Sequence, residues 1–271
     1  WDLDGTDFTP EASPDDEGYW DDFENLVLNH DYEELGSEII NNGTYDADSN
    51  WTKGTGWSIA NGVASSVDSG NGEDLQQGVG GKITSGKTYK VEYTISNRVT
   101  GGVKTFISGG GAVQGATNDA NGTYIDYLTA TANNTTFKFT TASDGFTGSI
   151  DNVSVKQVDP NDRWSLEGDW EISNGSLNID SASIANAKHN GLFTVGDTYE
   201  MNFDLSISSG YVRVYFGTSA NTIQQQITSS GNYTIRAVAE NTPLTFRNGT
   251  NTNCSIDNVT IREYAIQPQD V

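Results

Sequence analysis

From residue 37 onward the chain is written twice. The stretch from Asn50 through Trp51 and Trp57 to Asn61-Gly62 aligns with that from Arg163 through Trp164 and Trp170 to Asn174-Gly175. Both copies keep Trp-x5-Trp, an isoleucine and Asn-Gly. Further on, Gly86-Lys-Thr88-Tyr89 matches Gly196-Asp-Thr198-Tyr199, Val103–Phe106 matches Val212–Tyr215, and Ala132–Phe139 matches Ala239–Phe246. Each copy closes on the same pentapeptide, Ser149–Val153 and Ser255–Val259. Units of roughly 105–120 residues are too long for a solenoid repeat and have the size of independent domains. The spacing predicts a first module over residues 37–158, a second over 159–264 and a short tail over 265–271.

The pattern inside each copy is that of β-structure. Val91, Tyr93 and Ile95, then Met201, Phe203 and Leu205, alternate with polar residues, as half-buried strands require. Asn-Gly, Gly-Gly and Ser-Gly dipeptides recur at hairpin spacing, where positive φ is inexpensive. A helical turn is expected only near Ile184–Lys188. The fold class that follows is all-β, two tandem antiparallel β-sandwiches behind an N-terminal arm over residues 1–36.

That arm holds most of the charge. The chain has 37 acidic and 14 basic residues, a formal charge of −23, yet residues 1–52 carry 16 acids and no Lys or Arg. Nucleic acid is an unfavourable partner for such a surface. No apolar run approaches the ~20 residues that cross a bilayer, so membrane insertion is not expected. The chain opens on Trp1 rather than Met, as a fragment or processed product would. Acidic runs alternate with isolated aromatics in the first 24 residues, and Pro10 and Pro14 interrupt any helix. Two readings stand: a solvated tail, or an extended anchor in which Trp1, Trp20 and Phe23 dock on a partner.

The arm also contains a spare strand. Leu26-Val27-Leu28-Asn29-His30-Asp31-Tyr32-Glu33 repeats the opening segment of the first copy at an offset of 13, pairing Asn29 with Asn42, Tyr32 with Tyr45 and Glu33 with Asp46. The second copy lacks such a segment before Trp164. Residues 26–33 therefore either complete the second sandwich, in their own chain or a neighbour's, or lie on the first domain as a vestigial duplication. Leu26, Val27, Leu28 and Tyr32 are candidate assembly residues on the first reading.

Catalytic signals are sparse. His30 and His189 are the only histidines, and neither sits in a nucleophile motif. Gly109–Gly115 and Gly78–Lys82 do not fit a phosphate-binding loop. The single thiol, Cys254, can form neither an internal disulfide nor a Cys-rich zinc site. No enzymatic activity is expected.

The order Asn-Gly-x-Tyr-Asp, Trp-x5-Trp, Gly-x-Thr-Tyr and closing Ile-Asp-Asn-Val resembles the jelly-roll modules of carbohydrate-binding, galactose-binding-like type. Glu38–Asp46 running into Asn50–Trp57, with Ser149–Gln157 at the end, is similar to tandem modules of bacteriophage tail-fibre and other virion proteins. The resemblance spans about residues 25–264. It implies a structural calcium joining opening and closing strands, at Asp46 with Asp151 and at Asp257 with Glu33; the alternative is that Asp151 and Asp257 bond only loop amides. Sugar binding needs aromatic platforms beside amides, for which Trp51, Gln76, Gln77 and Tyr124 are candidates in the first module and Trp164 and Tyr211 in the second; core packing is the competing role for the tryptophans. The resulting expectation is a virion-surface fibre or capsid-decoration protein. Its arm would bind other virion proteins or copies of itself, and its modules would meet host surface glycans. An accessory region of a secreted polysaccharide-degrading enzyme, or a spacer subunit that binds no sugar, are the alternatives.

Overall fold

The computed structural model describes residues 25–264. Trp1, Trp20, Phe23 and the tail over 265–271 lie outside the described residues. Those described are all-β and antiparallel. By contact they divide into two compact units. One is formed by Asp31–Arg163 with Glu171–Asn178, and the other by residues as far as His30, Trp164–Trp170 and residues from Ile179 on.

The first copy contains β1 (Thr52–Lys53), β2 (Trp57–Ala60), β3 (Val63–Ser69), β4 (Asp74–Ile83), β5 (Thr88–Ser108), β6 (Val113–Gln114), β7 (Gly122–Thr129) and β8 (Asn134–Gln157). The long strands β5 and β8 run through two sheets. The first part of β5 pairs with β7 and with the end of β8, which pairs in turn with β3. The second part of β5 pairs with β6 and with the start of β8, which pairs with β4. The strands cross over at register shifts around Gly101, φ +70°, where a Cβ would stand 1.9 Å from the Gly145 carbonyl oxygen. Only glycine satisfies both the backbone angle and that approach.

The second copy contains β9 (Trp164–Leu166), β10 (Glu171–Ser173), β11 (Ser176–Ser181), β12 (Asn186–His189), β13 (Thr198–Ser209), β14 (Val212–Phe216), β15 (Gln225–Ile227), β16 (Gly231–Val238), β17 (Leu244–Asn248) and β18 (Thr252–Glu263). Its two sheets run β10-β11-β18-β13-β16 and β15-β14-β17-β12-β9. This is the arrangement of the first copy with each long strand cut in two. Gly210, φ +78°, stands where Gly101 does. The segment expected to form a helical turn is β12, hydrogen-bonded to β17 and β9. Four residues cannot offset helix nucleation, whereas two flanking strands satisfy every backbone group.

Alternation builds the core. Tyr89, Val91, Tyr93 and Ile95 point inward from β5 and meet Phe137 and Phe139 of β8. Tyr93 and Phe139 make an edge-on contact at 5.0 Å, and Phe203 and Phe246 repeat it in the second copy at 5.4 Å. The Asn-Gly turns at Asn61-Gly62 and Asn174-Gly175 have both residues at positive φ, which matches the twist of the strands they join.

The two opening segments make the same bonds in different copies. In the first copy Ile39 N–H donates to Val155 O at 2.9 Å and Val153 N–H to Gly43 O at 2.9 Å, while Glu38 Oε1 accepts from Val155 N–H at 2.8 Å. Thirteen residues earlier, Leu26 N–H donates to Ile261 O at 3.0 Å and Val259 N–H to His30 O at 3.2 Å, while Asn25 Oδ1 accepts from Ile261 N–H at 2.9 Å. Residues 25–30 thus run along β18 of their own chain. Asn29 and Tyr32 share the left-handed φ of Asn42 and Tyr45. Val27 and Tyr32, read as assembly residues, are instead buried, because the segment uses its apolar face within the chain; Leu26 and Leu28 remain exposed.

Candidate functional site

The sheet that contains β4 in the first copy has an inner and an outer face, and period two decides which residues reach each. Gln77 points inward and is buried: its Oε1 accepts from Asn41 N–H and its Nε2 donates to Asn41 O, both at 2.8 Å. In the second copy His189 Nε2 lies 3.3 Å from Leu28 O in the same role. Both side chains tie an opening segment to a sheet. Trp51 packs against Tyr45, Phe137 and Phe139 and donates its indole N–H to Asn42 O at 3.0 Å. Trp164 stacks on Phe246 and meets His189 edge-on. At 6% and 5% exposure these tryptophans are core residues. The sugar-platform expectation for Trp51, Trp164 and Gln77 is therefore corrected: side chains that fill the inner face present nothing to solvent. Tyr124 lies beside Tyr93 at 5.7 Å and donates to Ala120 O; Tyr233 does likewise beside Phe203, with Ser229 O. A pair repeated in both copies marks a sheet-edge brace.

Gln76 and Tyr211 are on the outer faces. In the first copy Gln76 stands opposite Lys138, and Lys138 Nζ reaches Asp74 Oδ2 at 2.8 Å and lies 5.3 Å from the Phe106 ring centroid. Thr140 Oγ1 donates to Asp74 Oδ1 at 2.6 Å, and Lys104 is its cross-strand neighbour. All six of these side chains are half-buried. In the second copy the equivalent positions hold Asn186, Lys188, Arg213 and Arg247, which are half-buried, and Tyr215 and Thr245, which are buried. Lys188 Nζ and Asn186 Nδ2 both donate to the Glu167 carboxylate, and these bonds, Lys188's first, hold Glu167 below the ordinary glutamate range. Arg213 Nε donates to Gln226 Oε1 at 2.8 Å, and its guanidinium lies 4.8 Å from the Tyr211 ring centroid. Gly249 makes room for that ring, since a Cβ there would come within 2.4 Å of it.

Each outer face thus sets an aromatic ring among amides, ammonium or guanidinium groups and one carboxylate. Such a set can stack on an apolar pyranose face and exchange hydrogen bonds with hydroxyls. Lys138, Lys188, Arg213 and Arg247 are additions to the sequence reading, although their alternation with Phe137, Phe139, Leu244 and Phe246 already puts them on the face opposite the core.

Three of the acidic residues read as calcium ligands accept bonds from near neighbours in sequence. Among the described residues no group of three or more His, Cys, Asp or Glu side chains is placed to hold a metal ion. Asp151 Oδ1 accepts from Asn152 N–H and Asp257 Oδ1 from Asn258 N–H, both at 2.7 Å, and Asp46 Oδ2 accepts from Thr44 Oγ1. Glu33 Oε1 lies toward Gly175, 3.0 Å from where a Cβ would stand. In the loop after Asn42 the carbonyls of Ala47 and Ser49 both accept from Asn42 Nδ2, at 2.6 and 3.0 Å.

No protein-family model matches the sequence, and a search of curated proteins finds no match. Among solved structures, the tandem CBM22-1–CBM22-2 region of Xyn10C from Paenibacillus barcinonensis is similar with TM-score 0.36 and 11% identity, over 85% of this chain and 99% of that one. A structure of allantoicase gives 0.31 and 9%, over 89% and 94%. The secreted serine protease VesC from Vibrio cholerae gives 0.28 and 7%, over 71% and 48%. Likenesses at this level leave the architecture resting on the strand pairings of the chain itself.

Proposed function

We propose that this chain is a non-enzymatic glycan-binding protein whose two modules each bind sugar on the outer face of the sheet containing Gln76 or Lys188. The observation that carries the reading is the recurrence of that face. Both copies set half-buried hydrogen-bonding side chains beside an aromatic ring, Phe106 in the first and Tyr211, at a different position of the sheet, in the second. Two weak sites on one chain act together through effective concentration, so affinity for a polymer exceeds that for a single sugar. In the finer form of the proposal, the chain is a fibre or capsid-decoration component on a virion surface, assembled through its acidic arm and presenting both modules to host glycans. This form follows from the motif resemblance and the negative charge concentrated in residues 1–52.

A glycan array with the intact chain and with Q76A/K138A and K188A variants tests the binding reading. Retention of a defined set of polysaccharides, weakened at least tenfold by either variant, is the expected result. A chain that binds no sugar at all would leave only a spacer role. Light scattering tests the assembly reading: a defined oligomer lost on removal of residues 1–24 supports it, and a sugar-binding monomer points to the accessory region of an enzyme.

A further inference from the structure

We propose that the outer face of the second copy recognises anionic sugar chains, through a guanidinium pair at Arg213 and Arg247; this rests on the glycan-binding reading above and names its ligand class. The two arginines are direct cross-strand partners on β14 and β17. Like charges in that position repel and weaken a sheet unless something lies between them. Arg213 is held in place by Gln226 Oε1 and the Tyr211 ring. Arg247 has no hydrogen-bond or ion-pair partner among the described residues, although 37 acidic side chains make carboxylates the commonest charge in the chain. Beside it on β12, the Asn186 Oδ1 is buried and without a partner. The face therefore offers a pair of cations, one of them with no carboxylate of its own. A carboxylate or sulfate on a sugar ring lies between the two cations and accepts from both.

The first copy is the internal control. At the positions of Asn186 and Arg247 it has Asp74 and Thr140, which bond one another, and Lys104 there faces a neutral neighbour. The carboxylate that neutralises the first face is replaced by an amide in the second, and the threonine by a second cation. The charges around the pair come from Lys188, on β12, and from Glu167, after β9. Glu167 is already bonded to Lys188 and Asn186.

Affinity electrophoresis of the full chain through gels containing polygalacturonate, dextran sulfate, dextran or xylan tests this directly. A protein of charge −23 is repelled by polyanions in general, so retardation by one requires a local site. Retardation by an acidic polymer, relieved by salt and reduced at least tenfold in Arg247→Thr but not in Lys156→Ala, a lysine on the other sheet of the first copy, is the expected result. The polygalacturonate and sulfate arms then separate a carboxylate from a sulfate ligand. Binding to neutral polymers alone, or acidic binding insensitive to both salt and Arg247→Thr, overturns the anionic class while leaving the glycan-binding reading in place. No retardation by any polymer overturns both. Circular dichroism of Arg247→Thr confirms folding, and the salt series on the unaltered chain gives an independent readout.

Discussion

The backbone amide of Ile261 donates to the Asn25 side chain at 2.9 Å across 236 positions of sequence. Asn25 Nδ2 returns a bond to Val259 O at 3.1 Å. One side chain thus spans two consecutive outward-facing peptides of β18. Glu38 makes the corresponding bond to Val155 in the first copy.

Removing residues 1–31 should therefore loosen the second copy and spare the first. Val27, 1% exposed, and the bonds to Val259 and Ile261 are lost together. Burial of a valine contributes about 1.5–3 kcal/mol and each hydrogen bond about 1 kcal/mol net. Hydrogen exchange is expected to accelerate at Val259 and Ile261 and to stay unchanged at Val153 and Val155. Equal protection in both chains would show that the segment does not hold β18.

Glu200 is buried on β13 between Arg236 and Arg262, at 2.6 and 2.5 Å. Burial alone raises its carboxyl, but bonds from the two guanidiniums outweigh that and hold it below the ordinary value. A depressed folded-state pKa contributes stability above the unfolded value of about 4.3, and that stability is lost as pH falls through the folded value. Glu200→Gln should lower stability at pH 7 by about 1.5–3 kcal/mol and flatten the acid limb of a urea-melt series. An unchanged acid limb would mean that the ion triad is solvated.

Gly101→Ala should destabilise the chain by at least ~2 kcal/mol, since the new methyl meets the Gly145 carbonyl and the left-handed φ is strained for any other residue. A neutral effect in thermal denaturation would require the crossover to relax without loss of pairing.

Chelation should leave the melting temperature unchanged, because Asn42 already satisfies the Ala47 and Ser49 carbonyls. Asn42→Asp places a carboxylate against those same oxygens. That variant should melt lower in chelator and recover on adding millimolar Ca²⁺. A drop in melting temperature of the unaltered chain with chelator would instead reveal a bound ion.

Burial pushes the Cys254 thiol up to about 12. The thiolate is the reactive form, so native protein at pH 8 should resist iodoacetamide and react fully in urea. Rapid native alkylation would place the thiol near solvent.

Much of this architecture was legible in the residues themselves. Alternation along Val91–Ile95 and the Asn-Gly pairs carried the strands and hairpins, because both depend only on local backbone and pleat geometry. The inward turn of Gln77 is also encoded locally, since Leu75 and Val79 flank it at period two, but glutamine as a residue type carries no burial signal. Trp-x5-Trp was ambiguous for a physical reason: an indole serves a core and a sugar platform equally well, and only the neighbours Phe137 and Phe246 decide. The Arg213–Arg247 pairing depends on register between strands, which no single segment encodes.

Synthesis gives the bond between Asn25 and Ile261 a temporal meaning. A ribosome releases Asn25–His30 early, but their partners on β18 emerge only after the whole first copy has been made. Throughout that interval a segment with apolar Val27 waits unpaired beside a second opening segment, Glu38–Gly43, that competes for the Val153–Val155 edge. The nascent chain must choose correctly between two segments set 13 positions apart. Loop closure barely distinguishes the two, since it grows by only about 0.6 kcal/mol per doubling of length; the bonds of Glu38 to Val155 and of Asn25 to Ile261 are what sort the segments onto their proper sheets.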